Sequence, residues 1–216
     1  MHIVTSIQAR LGSTRLPGKV LLHLGDHRIL HWVYKRTESA THVDQTIASI
    51  GDQPENEAII EYCERENIST VVGPEDNLLT RHIIAVEKSD CDLLVRITGD
   101  CPFVPPDEID RVVSEHMSNN ARYTTNHTDR MPVGTAVDAI DPDLLSDLES
   151  RGETHPVKLA RENPSEWGTN QTDNESWYPV SDAHIAVDTP DDYWTLSDAI
   201  NAVGSDPMSV SKWVSE

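Results

Sequence analysis

The chain has 216 residues, enough for one α/β domain with a sizeable core. It carries 37 Asp and Glu against 17 Lys and Arg, a formal net charge of −20 at pH 7, and its pI is about 4.7. That balance argues against a general nucleic-acid binder, which presents a basic face, and no apolar run is long enough to span a bilayer.

The run His2–Ile7 reads as a first strand. It enters the loop Gln8-Ala9-Arg10-Leu11-Gly12-Ser13-Thr14-Arg15-Leu16-Pro17-Gly18-Lys19, which holds three cations, two glycines and two hydroxyls. Glycines let backbone N–H groups approach an anion, and Arg and Lys supply opposing charge, so the loop reads as a polyphosphate cradle. A solvated basic turn is the plainer alternative. A Walker A loop is not matched: five residues separate Gly12 from Gly18, Val20 follows Lys19, and Pro17 removes an amide donor. The GxGxxG spacing of a dinucleotide site is also missing.

A helix is predicted over 29–37 and a strand over 45–50. Asp52-Gln53-Pro54-Glu55 starts a helix running to about Asn67. A strand at 70–72, a helix over 76–88 and a strong central strand at 92–97 follow. Pro105-Pro106-Asp107 starts a helix through His116. Such alternation predicts a mostly parallel sheet with right-handed crossovers and ligands beyond the carboxyl ends of its strands.

The second half is less regular. Strands are predicted over 122–126, 134–140 and 183–187, a short helix from Asp141-Pro142-Asp143, and a helix over 152–163. The polar, Trp-containing stretch 165–181 reads as an excursion from the core. Asp188-Thr189-Pro190-Asp191-Asp192 opens a helix to about Val203. No repeat or domain boundary is visible, so residues 1–216 are expected to form a single domain with its irregular part at about 120–182.

Asp100 follows the best central strand, in a turn closed by Pro102. It suits Mg²⁺, which takes one or two carboxylates plus phosphate oxygens, or a turn cap formed with its own backbone. Asp188 also follows an apolar strand. Thr189 is a natural cap, Pro190 fits the first helical position, and Asp191 and Asp192 suit the helix dipole; this structural reading covers Asp188 less well, because Thr189 already fills the cap role. Two strand-end carboxylates could share one metal. Arg96 and Arg81 are candidates for substrate contact or for ordinary ion pairs, and His155 for a sugar contact or a structural role. Cys101 is expected to be a small buried hydrophobe. No Ser-His-Asp order and no zinc-like Cys/His spacing occurs.

Together these pieces resemble the sugar-acid cytidylyltransferases, a group that includes acylneuraminate and deoxy-manno-octulosonate cytidylyltransferases and the spore coat polysaccharide protein F branch. The resemblance rests on the opening loop, on Arg96-Ile97-Thr98-Gly99-Asp100-Cys101-Pro102, on Val187-Asp188-Thr189-Pro190-Asp191-Asp192 and on Asn77-Leu78-Leu79-Thr80-Arg81, in the family's order. It implies a three-layer, Rossmann-like nucleotide-diphospho-sugar transferase fold of the α/β class with a mostly parallel mixed sheet. It also implies transfer of CMP from CTP to a sugar acid with Mg²⁺ as cofactor and pyrophosphate released, for surface glycan synthesis, in a dimer.

By motif match, Gln8, Arg10, Gly12, Ser13, Arg15 and Lys19 would hold the nucleotide. Asp100 and Asp188 would bind the metal, and Arg15, Lys19 and Asp100 would act in catalysis. Arg81, Arg96, Asp138 and His155 are weaker substrate candidates. Met131–Asp138 matches the branch only in part, since a glutamate is usual at the place of Asp138, and Thr154-His155 is a fragment of the pattern. Base contacts are expected from 48–52, with no residue assigned. Another nucleotide or a non-acid acceptor on the same fold is the alternative enzyme reading. A non-catalytic nucleotide-binding regulator is the alternative outside enzymes, and acids at both metal positions weigh against it.

Cys63, Cys91 and Cys101 form neither a CxxC pair nor a disulfide framework, which points to a reducing cytoplasm. Met1-His2-Ile3-Val4 passes directly into a strand, so no signal peptide is expected. The acidic residues are spread along the chain, and the lysines are only Lys19, Lys35, Lys88, Lys158 and Lys212. This pattern reads as adaptation to high salt, where self-repulsion is screened. Urea unfolding midpoints measured across a KCl series should therefore rise toward molar salt. Equal stability at low and molar KCl would remove this reading.

Overall fold

The structure, a computed structural model, describes residues 1–216. Strand β1 (Ile3–Ala9) leads into the cation-bearing loop and a 3-10 turn at Lys19–Leu21. A short hairpin of β2 (His23–Leu24) and β3 (His27–Arg28) precedes helix α1 (Ile29–Glu38). Then come β4 (Gln45–Gly51), a 3-10 turn at Pro54–Asn56, α2 (Glu57–Arg65), β5 (Ser69–Gly73), α3 (Leu78–Ser89), β6 (Leu93–Thr98) and α4 (Pro106–Asn119). The irregular half holds β7 (Tyr123–Thr125), β8 (Asp138–Ile140), α5 (Pro142–Ser150), α6 (Lys158–Glu162), α7 (Pro164–Trp167) and β9 (Thr169–Gln171). A 3-10 helix (Glu175–Val180), α8 (Pro190–Val203) and α9 (Pro207–Ser215) complete the chain.

The sheet has the order β5-β4-β1-β6-β8-β7-β9. The first four strands are parallel, β8 is antiparallel to both β6 and β7, and β9 lies parallel to β7 at the edge. Alternation along each strand sorts side chains between two faces. From β6, Leu93, Val95 and Ile97 join Leu30 of α1, Ile59 of α2 and Val112 of α4. Leu94 joins Leu79 of α3 and Leu144 and Leu148 of α5 on the opposite face. This is the three-layer α/β architecture with a mostly parallel mixed sheet. A third cluster, including Leu24, Ile29, Phe103, Val187 and Leu196, packs α8 and α9 against the hairpin. No helix is long and apolar enough to cross a membrane.

Local chemistry explains where helices start. Thr189 and Asp192 form a reciprocal capping box on α8, and Asn77 accepts from the Thr80 N–H at 3.0 Å to cap α3.

The irregular half departs from the sequence expectations in four places. The strand predicted over 134–140 is confined to Asp138–Ile140, because the Asn126 side chain stands in as partner and accepts from the Val137 N–H at 2.7 Å. The helix predicted over 152–163 shrinks to Lys158–Glu162. The strand predicted over 183–187 makes only one isolated bridge, between Val133 and His184. The stretch 165–181 is no excursion: it supplies the edge strand β9 and buries Trp167 and Trp177.

One carboxylate anchors that stretch. Glu108, wholly buried in the first turn of α4, accepts from Arg111, from Asn126, from Asn174 at 2.5 Å and from the Trp177 indole at 3.2 Å. Replacing it would leave several buried donors without an acceptor. Glu108→Ala should cost about 3 kcal/mol in urea unfolding. Amide exchange should quicken first at 174–181, and a uniform change across the molecule would contradict this anchoring role.

Candidate functional site

The loop after β1 is shaped by its own backbone. The N–H groups of Ser13 and Gly18 both donate to the Leu11 carbonyl, at 2.8 and 3.0 Å, while the Leu11 N–H donates to Asn56 Oδ1 at 2.7 Å. Gly18 has φ +72°, a left-handed conformation that glycine adopts without strain, and it turns the chain so that Lys19 points inward.

Lys19 Nζ lies 2.5 Å from Asp100 Oδ2 and 3.0 Å from Asp188 Oδ1. Arg15 Nη2 is 2.8 Å from the same Asp188 oxygen. Asp100 follows β6 and Asp188 precedes α8. The Val187 N–H donates to the Asp100 carbonyl at 2.9 Å and locks the two turns together. Burial opposes the charge on Lys19, but Asp100 and Asp188 outweigh it and raise its pKa. Burial pushes Asp188 up, yet Lys19 and Arg15 hold it below the usual carboxylate range.

Two carboxylate oxygens thus converge on one cationic nitrogen, and the ammonium marks a point where a metal ion fits. No group of three or more His, Cys, Asp or Glu side chains gathers there or elsewhere. An ion held by Asp100 and Asp188 would complete its shell from phosphate oxygens and water, the habit of Mg²⁺.

Two cavities meet at this carboxylate pair. One, about 250 Å³, is lined by Gln8, Arg10, Ser13, Arg15, Lys19 and Arg81 among others. Gly12 stands just outside it, against the Glu75 carboxylate. The other, about 430 Å³, is lined by Arg96, Arg161, Asn126, His127 and the segment 131–136, and it shares Asp100 and Asp188 with the first.

Behind the second cavity lies a buried ionic cluster. Asp138, 1 % exposed, accepts from Arg96 Nη1 and from Arg161 Nη2 at 2.6 Å each. It also accepts from the Tyr123 hydroxyl at 2.6 Å and from Thr125 at 2.8 Å. Arg96 Nε reaches back to Gln8 Oε1 at 2.9 Å. Burial alone would raise the pKa of Asp138, but Arg161 and Arg96 overcome it and hold the group well below the ordinary range. One carboxylate between two guanidiniums leaves one positive charge over, directed at the cavity. His155 is pushed down to about 4 by burial and then by Arg96 and Arg161, so it is neutral at pH 7.

The sequence candidates are therefore placed as follows. Gln8, Arg10, Ser13, Arg15, Lys19, Arg81, Asp100 and Asp188 gather at the first cavity, and Arg96 faces the second. Arg96 makes the ion pair that is one of its two readings, held by Asp138 and by Gln8, while it also lines the second cavity. Asp138 sits behind the cavity wall. His155 is not at the cavity: its Nδ1 accepts from the Val157 and Lys158 N–H groups and caps α6. Cys101 is a buried thiol whose pKa burial raises further. Arg161, Asn56 and Glu75 were not legible beforehand. Their partners lie 23, 45 and 19 residues away, and no local spacing marks them.

A family model described as cytidylyltransferase matches residues 4–193. The chain belongs to the cytidylyltransferase family. It is a nucleotidyltransferase enzyme on that ground. It is 26% identical over 215 residues to the spore coat polysaccharide biosynthesis protein SpsF of Bacillus subtilis, covering 95% of this chain and 89% of that protein. A cytidylyltransferase structure from Leptospira borgpetersenii superposes with a TM-score of 0.88 at 26% identity, over all of this chain and 93% of the other. A CMP-2-keto-3-deoxy-manno-octonic acid synthetase complexed with CTP shares the fold, with a TM-score of 0.72 at 17% identity, over 94% and 99% of the two chains.

The Asp138 cluster makes a prediction for this cytidylyltransferase. Asp138→Asn should destabilise it by about 3–5 kcal/mol at pH 7, because two buried guanidiniums lose their counter-charge. A depressed carboxylate adds stability above its unfolded pKa of about 3.9, and that stability is lost as pH falls toward the folded value. Urea unfolding at pH 7 and pH 3 should show the gap between wild type and variant narrowing at the lower pH. A gap independent of pH would overturn the charge account.

Proposed function

We propose that the protein transfers CMP from CTP to a sugar acid, releasing pyrophosphate, with Mg²⁺ as its metal. The observation that carries this reading is the convergence of Asp100 and Asp188 on one cation point between two cavities of opposite task. On the loop side, Arg10, Ser13, Arg15 and Lys19 bind the triphosphate together with backbone N–H groups. On the other side, the spare positive charge of Arg96 and Arg161 meets the carboxylate of the acceptor. The region at about 120–182 supplies that acceptor wall.

Mg²⁺ at Asp100 and Asp188 would neutralise charge on the phosphate oxygens. The chain's own contribution is alignment and charge. The shared wall sets the acceptor hydroxyl in line with the α-phosphorus, the kind of positioning on which phosphoryl-type transfers depend. Arg15 and Lys19 oppose the negative charge that grows on the departing pyrophosphate. The fit of a sugar acid, as against a neutral sugar, rests on the surplus charge of the buried cluster. The Bacillus relative named for polysaccharide biosynthesis and the CTP-bound neighbour agree with this reading.

Pyrophosphate release should be followed in molar KCl with CTP, Mg²⁺ and a panel of nonulosonic and keto-deoxy sugar acids beside neutral hexoses. Release is expected with at least one acid and none of the neutral sugars; turnover of a neutral sugar alone would overturn the acceptor assignment. Asp100→Asn should lower turnover at least about a hundredfold while its melting curve stays close to wild type.

A further inference from the structure

Strands β4 and β5 end side by side, with Gly51 paired to Gly73. The loop after β5 returns one carboxylate, Glu75, to the floor beside the phosphate loop. Its main-chain N–H donates to Asp52 Oδ1 at 3.1 Å, and its Oε2 accepts from Asn56 Nδ2 at 2.8 Å. Asn56, wholly buried, also donates to the Gly51 carbonyl at 3.0 Å and accepts from the Leu11 N–H. A β-carbon at Gly51 would lie 1.6 Å from Glu75 Oε2, so only glycine leaves room for the carboxylate there. Glu75 is thus built into the wall that joins the phosphate loop to the end of β4.

Asn56 satisfies Oε2, but a carboxylate fixed beside a triphosphate-binding loop remains electrostatically unfavourable unless Oε1 also meets a donor. Arg10 Nη1 approaches Oε1 only to 3.4 Å, and half of the Arg10 side chain is exposed, so that contact is too loose to account for the construction. Arg81, 4 % exposed, lines the adjoining cavity. Its Nη1 reaches the Ala9 and Ser49 carbonyls at 3.4 Å each, and its Nε is buried with no partner. A buried guanidinium bonded so thinly calls for a further acceptor.

We infer that Glu75 and Arg81 read the polar edge of the nucleotide's base and select cytosine over uracil. The inference rests on the proposed use of CTP. Cytosine offers an exocyclic amino donor at position 4 beside acceptors at N3 and O2. Uracil offers an acceptor at position 4 and a donor at N3. An ionised carboxylate only accepts and a guanidinium only donates. Glu75 opposite position 4 therefore accepts from the cytosine amino group and repels the uracil oxygen, while Arg81 donates to the acceptors next to it. Sites that leave a polar group unpaired against the wrong ligand discriminate strongly. The assignment also accounts for Gly51, whose hydrogen makes space for the reading group, and for Asn56, which fixes that group against the loop that holds the phosphates.

Titration calorimetry with CTP and with UTP, each with Mg²⁺, tests this on the wild type, Glu75→Gln and Gly51→Ala. The CTP-over-UTP affinity ratio should fall by at least about tenfold in Glu75→Gln. Gly51→Ala keeps every charge but displaces the carboxylate, and its ratio should fall as well, with melting curves reporting that both variants are folded. If CTP and UTP weaken by the same factor in Glu75→Gln, the residue only orients Arg10 and the inference is overturned. If the wild type binds the two nucleotides alike, the CTP reading falls and takes the inference with it. A wild-type preference that survives unchanged in both variants overturns the inference alone.

Discussion

Asp138 sits between two guanidiniums, and the assembly of the sheet depends on that contact. Arg96 comes from β6 at the edge of the parallel half, Asp138 from β8, Arg161 from α6 and Tyr123 from β7. Short strands such as β7, β8 and β9, three residues each, have few ladder bonds with which to fix their register. A fully bonded carboxylate in the interior supplies what the ladder lacks, because any slip would strand charge in a medium of low polarity. Glu108 performs the same service one layer away, drawing Trp177 and Asn174 onto α4.

The site inherits its order from these contacts and from the parallel strands. The carboxyl ends of β1, β4 and β6 point to one side of the sheet, where ligands of such folds gather. Each loop of the candidate site is then tied to a neighbour: the loop after β1 to Asn56, the Asp100 turn to Val187, and Gln8 to Arg96. Fixing these groups on folding removes much of the ordering that a ligand would otherwise impose on binding.

What the sequence showed follows from the range of the interactions concerned. Strand alternation and helix caps are local, so β1, β4 and β6 and the start of α8 were predicted to within about two residues. The loop cations and the pair Asp100 and Asp188 were legible because each lies directly beyond a strand-like run. The irregular half was not, because its strands are completed by side chains. Asn126 replaces a strand partner for Val137, and the 183–187 run packs against α8 and α9 with a single bridge instead of a ladder. Arg161 and Glu75 have meaning only once Asp138 and Gly51 are beside them, and neither neighbour is near in sequence. His155, open between a sugar contact and a structural role in the sequence, takes the structural one, its ring accepting from the first amides of a five-residue helix.

The cations of the loop are already engaged: Lys19 with Asp100 and Asp188, Arg15 with Asp188, and Arg10 loosely with Glu75. Any anion that binds them must draw them away from these carboxylates, which tempers its grip. The same pairs can re-form as soon as that anion begins to leave. The carboxylates thereby compete with any bound anion for the cations that would hold it, and the loop carries within itself a means of emptying the site.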